Sequence, residues 1–95
     1  MTHSPTLPTL DFYTREGCEL CAETRLALQQ VLERRVIRGD PIVRVKEIDL
    51  ADQPDLEPRL GALLPVLALN GRELTLAMGT RTIERFLDQV LGRMA

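Results

Sequence analysis

The sequence predicts an α/β domain in the order β-α-β-α-β-β-α, a four-stranded mixed sheet with helices on both faces. Three observations lead there. A short alternating segment, residues 9–13, runs through a cysteine pair into a long stretch of helical periodicity. Asn70-Gly71 stands between two apolar segments, which is a strong hairpin signal. From Thr80 onward, Ile83, Phe86, Leu87, Val90 and Leu91 repeat at the spacing of one helix face.

Residues 1–8 carry Ser, Thr and two prolines without periodicity, so a flexible N-terminal arm is expected, followed by one domain over 9–95. His3 has no partner in view there, and no catalytic role is expected for it. Residues 9–13 place Leu10 and Phe12 on one face, and their β-branched and aromatic content favours a strand. That strand leads directly into Thr14-Arg15-Glu16-Gly17-Cys18-Glu19-Leu20-Cys21, which holds the only two cysteines of the chain.

Residues 19–35 read as the longest helix. Leu20, Cys21, Thr24, Ala27, Leu28, Val31 and Leu32 share one stripe, whereas Cys18 stands ahead of the first turn. Cys18 is therefore expected to meet solvent and Cys21 to face the core, with Leu26 off the stripe. Arg34 and Arg35 close the helix, where cations suit its dipole. Residues 39–41 make a turn, and 42–48 a second strand whose alternate charges mark a sheet edge. Between 49 and 61 a short helix is expected, with Asp52 as its cap, Pro54 in its first turn and Gly61 at its end. Residues 66–69 are apolar on both faces, as in a central strand, and 72–76 return as the hairpin partner. Thr80 is placed to cap the last helix.

A strand, a helix and a second strand make a right-handed unit with parallel strands, to which the hairpin adds two antiparallel ones. The cysteine loop then lies at the carboxyl end of the first strand, where open α/β sheets bind ligands. Cys-x-x-Cys at a helix start brings two sulfurs within bonding reach, and the dipole and free N–H groups there favour a thiolate. Such a pair suits dithiol–disulfide exchange.

Ninety-five residues suffice for one core. A formal net charge of −2, with basic residues scattered along the sequence, argues against nucleic acid or an acidic membrane as partner. The longest apolar run, 62–69, is far short of the roughly 20 residues that span a bilayer. With no export pattern, the two cysteines read as a redox-active or metal-binding pair in the cytoplasm. A monomer is expected.

Several of these residues together resemble a glutaredoxin, within the thioredoxin superfamily. They are the Tyr13 to Cys21 stretch after a strand, Leu64-Pro65-Val66 before the third strand, Asn70-Gly71 in a hairpin and Gly79-Thr80 opening the last helix. The resemblance spans about 9–91. It implies that Cys18 is the nucleophile, Cys21 the resolving thiol and Pro65 a cis-proline beside them. It further implies that Arg15 meets a glutathione carboxylate, and that Leu64, Pro65, Gly79 and Thr80 contribute to substrate binding. Glu19-Leu20 between the cysteines, Leu63-Leu64 before the proline and Met78-Gly79-Thr80-Arg81 depart from the usual pattern, as in the divergent glutaredoxin-like proteins.

The activity expected is thiol–disulfide exchange with a disulfide-containing protein or glutathione, the latter as co-substrate, and no bound cofactor. Two alternatives stand beside it. One is a binding module that uses the Pro65 edge with little redox turnover. The other is a metal bridging two chains: a zinc site needs about four ligands, which one chain with two cysteines and a remote His3 does not supply, whereas two cysteine pairs do.

Overall fold

In a computed structural model, which describes residues 7–93, four strands form one sheet in the order β2-β1-β3-β4. The elements are β1 (Thr9–Thr14), α1 (Glu19–Arg38), β2 (Arg44–Asp49), α2 (Glu57–Leu60), β3 (Val66–Leu69), β4 (Arg72–Leu74) and α3 (Thr80–Leu91). β1 runs parallel to β2, with Leu10 beside Val45, and antiparallel to β3, with Tyr13 beside Val66. β3 and β4 are antiparallel. Topology and pairing directions are those the sequence predicts, and β2 is indeed an edge. The expected arm, His3 included, lies largely outside the described residues.

Alternation in β1 sends Leu10 and Phe12 into the core, where both are buried. They share their face with Leu67 of β3 and with α1, whose buried residues are Cys21, Thr24, Leu28, Val31 and Arg35. That spacing of three and four residues makes a narrow seam. Leu20 precedes it by one residue, about 100° around the helix, and is 45% exposed. The expected burial of Leu20 is thus corrected. α3 packs beside α1 through Ile83, Phe86 and Leu87. α2 belongs to the opposite face, where Arg59 pairs with Glu73, the cross-strand neighbour of Ala68 and, beyond it, Asp11.

Other local expectations need correction. α1 continues past Arg35 to Arg38, and Gly39 caps it in the left-handed conformation. Arg35 does not meet solvent at the helix end. Its side chain is completely buried and donates to the Pro41 and Gly92 carbonyls and to Glu84 and Asp88. A buried guanidinium needs such a full set of acceptors to offset its desolvation. Asp52 does not cap the helical segment after β2. Asp49 caps a 3-10 turn at Leu50–Asp52 by accepting from the Ala51 N–H, and a second 3-10 turn, Pro54–Leu56, precedes α2. Two prolines in five residues remove N–H donors and break the segment into turns. Gly61 does end α2 as expected, capping it in a right-handed conformation and opening a third 3-10 turn. In the hairpin, Asn70 and Gly71 both take positive φ, as a type I′ turn requires.

Candidate active site

The loop after β1 delivers Cys18 to the start of α1. The Cys18 N–H donates to the Arg15 carbonyl at 3.1 Å, closing a tight turn that contains Gly17 at φ 77°. Cys18 is itself the N-cap: its backbone is extended, and its Sγ accepts the Cys21 N–H at 3.0 Å. A sulfur thus occupies the place of the usual hydroxyl or carboxylate cap, at the positive end of a 20-residue helix. The two sulfurs are joined as a disulfide, with Cα atoms 5.2 Å apart. Cys21 is buried in the core, and Cys18 is only partly so, which is the division the sequence predicts.

Pro65 comes to the same end of the sheet. Tyr13 pairs with Val66, so continuing the antiparallel register sets Pro65 opposite Thr14, the last residue before the cysteine loop. The Leu64–Pro65 bond is cis, as the resemblance implies, and both residues are buried. The Leu63 carbonyl accepts from the Leu76 N–H and the Pro65 carbonyl from the Ala77 N–H, each at 2.9 Å. Leu64 lies between these two ties, in neither the 3-10 turn nor β3.

Thr24 links that segment to the cysteine helix. One turn after Cys21 and fully buried, it donates its hydroxyl to the Ala77 carbonyl at 2.6 Å and lies 3.6 Å from the Met78 sulfur. The chain then turns at Gly79 into α3. Gly79 is the N-cap and Thr80 the first helical residue, with no side-chain cap, so the expected cap at Thr80 is corrected. Gly79 is exposed, and Thr80 is half-buried. The periodicity of α1 counts Thr24 only as part of a stripe. The signal for a further role was a hydroxyl at a position that otherwise calls for a hydrocarbon.

Arg15 leans across the loop onto Glu57 of α2. Their ion pair passes directly over Gly61, where a Cβ would meet the Glu57 carboxylate and make that exposed side chain swing aside. Beside Cys18 lies an open groove of about 570 Å³ whose walls include Arg15, Glu16, Glu19, Arg25 and Asp49. Arg25 is bonded to Glu47, an interaction that lifts its pKa further above the ordinary guanidinium value. Arg25 also rests 5.9 Å from the centroid of the Phe12 ring. Among the described residues no group of three or more His, Cys, Asp or Glu side chains converges to hold a metal ion. Nor is any helix among them long and apolar enough to cross a membrane.

This arrangement agrees with comparisons against known proteins. The profile of the family described as Glutaredoxin-like domain (DUF836) matches residues 9–91. Among solved structures, the X-ray structure of protein XcR50 from X. campestris is similar at 28% identity, with a TM-score of 0.68 over 84% of this chain and 96% of that one. Protein Ne2328 from Nitrosomonas europaea shares the fold at 21% identity, with a TM-score of 0.65 over 90% of this chain and 98% of its own. A malarial protein shares it at 13% identity, with a TM-score of 0.59 over 90% of this chain and 99% of its own. A search of curated proteins gave no match.

Proposed function

We propose, since the chain belongs to the glutaredoxin-like domain family, that its cysteine pair is a working redox centre and the protein a thiol–disulfide oxidoreductase. The observation that carries this reading is the position of the two sulfurs. Cys18 Sγ accepts a helix N-terminal N–H and is partly open to solvent, whereas Cys21 is enclosed by the core.

In the reduced chain, Cys18 thiolate is the attacking group, because the N–H bond and the helix dipole both favour the anion. It attacks one sulfur of a substrate disulfide. A mixed disulfide forms, and one substrate thiolate leaves and takes up a proton. Cys21 then gives up its proton and attacks Cys18 Sγ. The second substrate thiol leaves, and the Cys18–Cys21 disulfide remains. Two electrons have passed to the substrate, and two external thiols, glutathione being the candidate donor, return the pair to the dithiol.

Leu64 and Pro65 form the substrate edge in this reading. Ties on either side direct the Leu63 and Pro65 carbonyls to Leu76 and Ala77, which leaves the Leu64 main chain as the place where an extended thiol peptide aligns. Gly79 and Thr80 continue that edge, and Arg15 supplies a guanidinium for a carboxylate of the substrate. The test is turnover of a small dialkyl disulfide by the reduced chain with glutathione as donor. Sustained turnover that disappears in Cys18→Ser supports the oxidoreductase. Stoichiometric binding without turnover would instead assign a binding module.

A further inference from the structure

The basic residues are scattered in the sequence but not in the fold. Five of the twelve, Arg34 and Arg38 from α1 with Arg81, Arg85 and Arg93 from or just beyond α3, line one open groove of about 740 Å³. Its acidic members, Glu84 and Asp88, are already held by the buried Arg35, and Glu84 by Arg38 as well. Arg34, Arg81 and Arg85 make no ion pair or side-chain hydrogen bond among the described residues. These placements oppose local stability. Like charges four residues apart repel along each helix, and Arg81 sits in a first helical turn that has no acidic residue.

We infer that this groove docks an acidic segment of a partner protein. Arg81 and Arg85 on one wall are one helical turn apart, about 6 Å, and Arg34 stands on the other wall beside Arg38, which is itself already bonded to Asp40 and Glu84. Carboxylates on alternate residues of an extended peptide are spaced by about 7 Å, which sets them against successive guanidinium forks. Every residue lining the groove is polar or charged. It therefore lacks both the aromatic platforms on which bases of a single-stranded nucleic acid stack and the apolar wall typical of small-ligand pockets. Thr80 at one end joins the groove to the Gly79 edge of the cysteine site. The docking is nevertheless independent of thiol chemistry.

The test uses the oxidised full chain and fluorescence anisotropy, so no thiol exchange enters. The probes are a fluorescein-labelled decapeptide alternating Glu and Ser, its Gln-Ser counterpart and a deoxythymidine decamer. The Glu-Ser peptide is expected to bind, to weaken as salt is raised and to bind about tenfold more weakly to Arg34→Glu/Arg85→Glu, in keeping with the reversal of two exposed charge pairs. Neither side chain has a partner to lose and each repels a like charge one turn away, so the variant should melt no lower than the wild type, and Arg34→Gln/Arg85→Gln should give a smaller loss of binding in the same direction. No binding, equal binding of the Gln-Ser peptide, an affinity untouched by both variants, or tighter binding of the deoxythymidine decamer would each overturn the inference.

Discussion

At the scale of single residues, the chemistry rests on which groups meet Cys18. The Cys21 N–H and the helix terminus favour its thiolate, while Glu16 and Glu19 line the same groove and oppose it. Replacing both by Gln should lower the Cys18 pKa. A residual interaction of about 1.4 kcal/mol already corresponds to one pKa unit. Alkylation of the reduced chain by iodoacetamide near neutral pH should accordingly be faster in the double variant, and the gain should shrink in high salt. An unchanged rate would assign the reactivity of Cys18 to the helix terminus alone. Thr24 offers a second test at this scale. Thr24→Val keeps the shape but strands the buried Ala77 carbonyl, which should cost about 1–3 kcal/mol. It should also loosen the segment leading to Gly79, so the KM for a peptide disulfide should rise more than kcat falls.

At the scale of elements, the contact between α1 and α3 is pinned by Arg35. Arg35→Met would leave two backbone carbonyls and Asp88 Oδ1 without their donor, a loss of about 3 kcal/mol that thermal or denaturant unfolding should register. The same cluster makes stability depend on pH. Burial alone would raise the Glu84 carboxyl, but the bonds from Arg38 and Arg35 outweigh it and hold its pKa below the ordinary 4.5. The folded chain therefore binds fewer protons at Glu84 than the unfolded chain does. The resulting stabilisation is present above 4.5 and is lost as pH falls through the lower folded value. Wild type and Glu84→Gln should differ most in melting temperature near neutrality and converge in acid. A gap that widens on acidification would contradict the sign.

At the scale of the whole molecule, what the sequence made legible was whatever depends on local pattern. Alternation marked β1, Asn70-Gly71 marked the hairpin, and the cysteine pair after a strand marked the site. Strand pairing followed from the order of elements, but side-chain contacts between distant segments were not legible. Arg35 reads only as a helix-end cation that suits the dipole, because its four acceptors come from the 41 turn, α3 and the chain just beyond it. The arginine groove reads as scattered charge because α1 and α3 are far apart in sequence. Leu20 and Thr80 were misplaced for a smaller reason, a single residue's rotation at a helix start. All of these bear on packing and recognition, whereas the central claim concerns the two sulfurs. It is tested most directly by mass spectrometry of the reduced Cys21→Ser and Cys18→Ser variants after reaction with a peptide disulfide. A stable mixed disulfide is expected on Cys18 in Cys21→Ser, and essentially no adduct in Cys18→Ser. An adduct on Cys21, formed as readily when Cys18 is absent, would contradict it.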